Sequence, residues 1–300
     1  MMTELQQAML QANPLLSRFD PLPRIIVADD FDRGLQGWTP LIGNYEDSLD
    51  SILPPYRDLR GPMLSNLSMW DTGTDGSMNG TYAMKLATRP QPGALAVSVK
   101  RLTFRHLGPI RLEAYFTFKP EASALKLSET DVRAVGVLFD LQEVDRPTNP
   151  MGANPQRIMP HLRYLNALDG EFIGRWQYKK ERVALHEIGG SGKTKSHFHL
   201  APEGWEFLPD GDQRLCYNEI ATKQNWYYLR LDFDLATMSY LRFQCNDRVY
   251  DLANLPGVEP MRMPAMANLW CMLNTAFWVE TDTTKRAFLY VDSVVLSGDW

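Results

Sequence analysis

The feature that most restricts how this chain can fold is period-two alternation of apolar and polar residues, repeated from one end to the other. Leu112, Ala114, Phe116 and Phe118 alternate with Arg111, Glu113, Tyr115 and Thr117. Val135, Val137, Phe139 and Leu141 alternate with Gly136, Leu138, Asp140 and Gln142, and Tyr227, Leu229, Leu231 and Phe233 with Trp226, Tyr228, Arg230 and Asp232. Side chains at i and i+2 share a face only in an extended strand; a helix would spread the same residues around its axis. Runs of this kind, rich in β-branched and aromatic residues, are expected at 24–28, 82–87, 94–102, 110–118, 132–141, 162–168, 172–179, 225–235, 239–246, 268–278 and 286–296. No helical pattern separates them, which favours two antiparallel sheets packed around one core over a parallel α/β fold.

Helix is expected only at the start, where Leu5, Met9 and Leu10 precede Pro14, and Pro21 and Pro23 then return the chain to extended structure. Residues 1–23 therefore read as an arm, and 24–300 as one β-sandwich domain with long loops at 40–61 and 143–160. Hydrophobic residues make up 44% of the 300 and charged residues 22%, enough for a large core. The net charge of −5 offers no attraction for nucleic acid or an anionic membrane. Cys216, Cys245 and Cys271 are an odd set without CxxC spacing, as expected of buried thiols rather than disulfides or a zinc knuckle. Glu4, Gln6, Gln7 and Gln11 replace the basic and apolar runs of a signal peptide, and no stretch has the ~20 apolar residues of a membrane span. The expected setting is cytoplasmic.

Two terminal segments carry a resemblance. Ile26-Val27-Ala28-Asp29-Asp30-Phe31-Asp32-Arg33-Gly34-Leu35-Gln36-Gly37-Trp38 and Phe288-Leu289-Tyr290-Val291-Asp292-Ser293-Val294-Val295-Leu296-Ser297 resemble the concanavalin A-like lectin/glucanase superfamily and the jelly-roll carbohydrate-binding modules. The resemblance implies an all-β jelly-roll sandwich whose first and last strands are neighbours in one sheet. It also implies handling of a small saccharide or glycoside, on a fold that equally serves lectins, hydrolases, lyases and inert modules. Many such modules hold a structural calcium near this junction, and the resemblance implies Asp30, Asp32 and Asp292 as its ligands. Asp29 and Asp30 are also suited to opening a turn before Gly34 and Gly37.

Polar and aromatic residues are densest at 215–228. Flat rings suit the C–H face of a pyranose, and amides and charged groups suit its hydroxyls. On that ground Asn218, Lys223, Trp226, Tyr228 and Arg230 are candidate sugar contacts, together with Trp176, Tyr178, Trp270 and Asn274 on other strands. Alternating aromatics equally fill cores. The two-glutamate glucanase signature E-x-D-x-x-E is absent. The remaining candidates for a catalytic carboxylate in a hydrolase or lyase are Glu113, Asp140 and Glu219, each also explicable as solvated. His197 and His199 share one face of an extended segment, a spacing that suits sugar contact, a metal or the base of a lyase, and also an ordinary polar hairpin. His106 and His161 are isolated. Gly189-Gly190-Ser191-Gly192-Lys193-Thr194 lacks the first glycine and the strand-to-helix context of a phosphate loop. Three readings stand at this point: a carbohydrate-recognising jelly roll, with or without catalysis; an interaction module that binds a protein partner or builds a homo-oligomer; and a metal-dependent enzyme using His197 and His199.

Overall fold

A computed structural model describes residues 3–41, 59–65, 76–103, 105–122, 126–142, 156–180, 185–187, 194–196, 203–263, 265 and 270–300. Helix α1 (Glu4–Ala12) opens on a capping box in which Thr3 and Gln6 satisfy each other's backbone amides. The strands are β1 (Arg24–Asp29), β2 (Trp38–Pro40), β3 (Met63–Leu64), β4 (Met84–Ala87), β5 (Leu95–Thr103), β6 (Pro109–Pro120), β7 (Val132–Gln142), β8 (Arg157–Met159), β9 (His161–Leu168), β10 (Glu171–Lys179), β11 (Leu185–Glu187), β12 (Thr194–Ser196), β13 (Trp205–Asp212), β14 (Tyr227–Asp234), β15 (Ser239–Cys245), β16 (Arg248–Tyr250), β17 (Met261–Met263), β18 (Met272–Thr281) and β19 (Ala287–Gly298).

They form an eight-stranded sheet in the order β16-β15-β14-β6-β19-β4-β3, with β1 also on β19, and a nine-stranded sheet in the order β13-β10-β9-β7-β18-β5-β2, extended from β7 by β8 and β17. β11 and β12 pair only with each other. The architecture is the two-sheet jelly-roll sandwich implied by the terminal segments. Val27 pairs with Leu296 and Asp29 with Val294, which brings both ends of the chain into one sheet. The inward faces meet in a core that includes Leu112, Ala114, Phe116, Val135, Val137, Phe139, Leu229, Leu231 and Phe233, the apolar halves of the three alternating runs. Burying those halves is the main force holding the sheets together.

Every expected strand run overlaps an observed one. The short β2, β3, β8, β16 and β17 lack the length for a periodic signal. β13 lacks the pattern because it is an edge strand carrying Pro209 and Gly211, and only Leu208 and Gly211 of its residues are buried. A second apolar cluster lies on the outward face of the nine-stranded sheet, built from Leu95, Val97, Val99, Ala134, Leu138, Leu165, Ala276 and Trp278, with Leu41 and Leu59 packed on it. No helix of the described residues is long and apolar enough to cross a membrane.

Candidate functional site

Register across the nine-stranded sheet sets its outward side chains in rows. One row runs Val99, Ala276, Leu138, His161, and continues on the neighbouring strands with Lys179 opposite Trp205. The next runs Val97, Trp278, Gly136, Arg163, Gln177, Phe207. On the other side of the first lies Arg101, Asn274, Asp140. Consecutive rows are ~7 Å apart, two residues along a strand.

Gly136 makes the centre of this face. A Cβ there would lie 2.2 Å from Trp278 Nε1, so the indole occupies the space above the strand that any other residue would fill. Lying across β7, Trp278 donates from Nε1 to His161 Nε2 at 2.8 Å on the strand beyond, which leaves the imidazole proton on Nδ1 and the ring neutral. Trp205 meets the His161 ring edge to face at 4.6 Å and Trp278 at 6.1 Å. Two cations reach Trp205: the Arg163 guanidinium 4.1 Å from the ring centre and Lys179 Nζ 4.8 Å from it.

Polar groups this deeply buried are costly, yet they concentrate here. His161 and Lys179 have no exposed surface, Gln177 retains 5%, and Arg163 and Glu280 9% each. Arg163 Nε donates to Gln177 Oε1 at 2.6 Å, and burial pulls its pKa down to about 10 against the attraction of Glu280. Lys179 Nζ donates to the Glu203 carbonyl at 2.9 Å. Burial first, and then Arg163, pull that amine down to about 7, opposed by Glu203 and Glu280. Burial pushes the Glu280 carboxyl up, while Arg163 and Arg133, the latter 3.3 Å away, restrain it. Perturbed titrations gathered on one face make it a candidate site.

The adjoining row is more open. Asp140 accepts both arms of the Arg157 guanidinium, at 2.8 and 2.7 Å. Beside it the half-buried Asn274 amide makes no hydrogen bond among the described residues, and Arg101 donates to Thr39 Oγ1 at 2.7 Å. Trp270, also half-buried, stands just before β18. Asp140 and Asn274 are thus the expected residues that this sheet brings together.

The other expected contacts lie elsewhere. Trp176 and Tyr178 point inward, 1% and 3% exposed, with Trp176 Nε1 on Gln213 Oε1 at 2.8 Å. They correct the sequence reading of that strand: the aromatic positions fill the core, and Gln177 and Lys179 between them face outward. Asn218, Glu219 and Lys223 belong to the segment before β14. Asn218 is buried and its amide donates to Thr117 Oγ1 and the Phe118 carbonyl. Glu219 pairs with Lys223 at 2.7 Å, which holds its carboxyl below the usual range. The cavity beside them, lined by Phe118, Glu129, Asn166, Tyr217 and Tyr227, has a volume of about 20 Å³, room for one water and far short of a sugar. Trp226 packs against the cluster of Ala83, Ala87, Phe288 and Tyr290. His197 and His199 lie outside the described residues.

Glu113, Tyr228 and Arg230 come together on the outward face of the eight-stranded sheet, across the sandwich from Asp140. Glu113 Oε1 accepts from Tyr228 Oη at 2.6 Å and from the Asp20 amide at 2.9 Å, whereas Oε2 is buried without a partner among the described residues. Burial pushes this carboxyl up, against Tyr228, the Asp20 amide and Arg111. A carboxyl raised in the fold favours the protonated state, so its contribution is complete below the unfolded value near 4.5 and is lost as pH rises through the folded value. Glu113→Gln is therefore expected to flatten that decline and to cost about 1–3 kcal/mol below it, because its NH2 stands where Oε2 has no partner among the described residues. Urea titrations between pH 4.5 and 8 measure both.

One oxygen of each of Asp30, Asp32 and Asp292, the residues expected to hold calcium, already faces N–H donors and is not free for a cation. Asp292 Oδ2 accepts from the Met78 and Asn79 amides at 2.6 and 2.7 Å, Asp32 Oδ1 from the Thr81 and Tyr82 amides at 2.6 and 3.0 Å, and Asp30 Oδ1 from the Asp32 amide at 3.2 Å. Asp292 and Asp32 thus fasten residues 78–82 to β19 and to the turn after β1, whereas Asp30 serves its own turn. Among the described residues no three His, Cys, Asp or Glu side chains gather as a metal site.

Sequence reasoning missed Trp205, His161, Arg163, Gln177, Lys179 and Glu280. Arg163 and His161 at alternate positions of a strand, and Gly136 inside another, were the readable signals. The pairing that joins them to β13 was not.

Among solved structures the chain is similar to the carbohydrate recognition domain of Emp46p, at 12% identity over 93% of this chain and 97% of that one, with a TM-score of 0.35. It is also similar to lectin I-B4 from Griffonia simplicifolia in a metal-free form, at 10% identity over 91% and 100% with a TM-score of 0.36, and to lectin II from Ulex europaeus, at 6% over 92% and 100% with a TM-score of 0.36. Likenesses this distant carry no argument about chemistry. No curated protein matches the sequence. A family model described as a domain of unknown function, DUF6772, matches residues 6–300, and the chain belongs to that family.

Proposed function

We propose that the outward face of the nine-stranded sheet recognises a small saccharide. The observation that supports this reading is the half-buried Trp205, whose indole is held by Arg163, Lys179 and His161; four strands away on the same face, the Asn274 amide makes no hydrogen bond among the described residues. A fixed indole covers the apolar side of a pyranose, and an amide with free donor and acceptor serves its hydroxyls. Recognition without turnover is the better reading: Asp140 is neutralised by Arg157, Glu219 pairs with Lys223 in another region, and Glu113 lies on the opposite sheet. No two of these three flank one bond.

Thermal unfolding against a panel of mono- and disaccharides tests the proposal. A binding sugar at 100 times its Kd stabilises the fold by about 2.7 kcal/mol and raises the midpoint accordingly. Trp205→Ala is expected to abolish that rise while the unliganded protein still unfolds cooperatively. A panel without any response, or a response intact in Trp205→Ala, refutes this assignment of the site.

A further inference from the structure

We infer that residues 18–22 are an exchangeable ligand for the outward face of the eight-stranded sheet, one that a second copy of this chain supplies in trans as its own chain supplies it in cis. The segment lies along β19 on contacts that alternate between side chain and backbone. Arg18 Nη2 donates to Ser293 Oγ at 2.9 Å, and Tyr115 Oη donates to the Arg18 carbonyl at 3.3 Å. The Phe19 ring sits 5.4 Å from that of Tyr115. The Asp20 amide donates to Glu113, and the Leu22 amide to Ser297 Oγ at 2.9 Å. The Asp20 carboxylate lies between two guanidiniums, Arg111 at 2.9 Å and Arg230 at 3.2 Å.

The receptor half of this clamp is built independently of the arm. Arg111 and Arg230 are both fastened to Asp232, at 2.9 and 2.6 Å, and Glu113 is held by Tyr228. When the arm leaves, the guanidiniums, the carboxyl and the two serines keep their places, so an identical segment docks without reorganisation. The arm half is loosely committed. The Asp20 side chain is 74% exposed against 12% and 10% for its two arginines, so each ion pair is weak and easily traded. Upstream, α1 buries no residue, and Leu5 and Met9, four apart on one helical face, are 70% and 65% exposed. Pro21 and Pro23 stiffen the short link to β1. The contacts of the segment thus come from four residues, Arg18, Phe19, Asp20 and Leu22, each with the same partners on any copy. Two-fold exchange closes on itself and leaves no open end. The intramolecular arm has an effective concentration in the millimolar range, so monomers dominate when dilute and exchange grows with concentration.

The full chain carrying Leu22→Cys and Ser297→Cys, in a Cys216→Ser background that removes the exposed native thiol, reports which copy supplies the arm. Two differently sized tagged versions are mixed and oxidised at about 1 μM and about 500 μM, below and near the effective concentration. The expected result is an intramolecular cross-link when dilute and a growing share of mixed-size covalent dimers when concentrated, with the linked peptides identified by mass. Intramolecular linkage alone at both concentrations overturns the inference. Should that variant not fold, a labelled peptide of residues 13–23 is titrated into full-length Asp20→Asn protein, whose own arm is weakened. It is expected to bind about five- to tenfold more tightly there than to the wild-type chain, and the same peptide with Asp20→Asn to bind correspondingly less. Absence of saturable binding to either protein overturns the inference.

Discussion

Gly136→Ala is expected to destabilise the fold by about 1–3 kcal/mol and to remove saccharide binding. The single added methyl would stand 2.1–2.4 Å from three atoms of the Trp278 indole. A long flexible side chain could swing aside, but a ring wedged between Ala276, Leu138 and Trp205 has no free rotamer to take. Its displacement breaks the hydrogen bond to His161 and moves the edge on which Trp205 rests. Alanine also suits a strand better than glycine by roughly 0.5–1 kcal/mol, so a neutral or stabilising result would mean that the indole does not occupy this position. Urea unfolding gives the stability change, and loss of the sugar-induced rise in midpoint gives the functional one.

Lys179→Met is expected to act in the opposite direction on stability, raising it at pH 7 by about 1–4 kcal/mol, because methionine keeps the apolar stem and removes the buried cation. The pH dependence identifies the cause. With the folded amine at about 7 and an ordinary lysine at 10.5, both states are protonated below about 7 and the full cost of the buried charge is present. Between about 7 and 10.5 the unfolded chain binds a proton that the folded chain does not, so wild-type stability rises with pH over that window and levels off above it. The variant should lack the rise. Urea titrations at several pH values from 6 to 10.5 check this, and an unchanged slope in the variant would assign the titration to another group. Saccharide affinity should fall at the same time, since Trp205 loses one of the two cations that hold its ring. Gain of stability with loss of binding is the expected signature of a residue kept for function.

Much of the architecture was legible along the chain. The alternating runs in β6, β7 and β14 identified strands, the buried face of each and the two-sheet arrangement, because period two is a local property of extended backbone. The terminal segments implied that β1 and β19 are neighbours, and they are. The site was less legible. Alternation states that Trp176 and Gln177 face opposite ways without stating which way is inward, and on β10 the aromatic pair proved to be core.

By itself, then, the sequence determined which segments are extended, which residues share a face, and that two sheets must bury their apolar sides against each other. Tertiary structure alone decided which polar residues meet. The neighbours of Lys179 come from β9, β13 and β18, and those of Asp20 from β6 and β14, more than ninety residues away along the chain. Strand order and register make those meetings, and both arise from pairings among distant segments, whose free energy belongs to the assembled sandwich and not to any window of the chain.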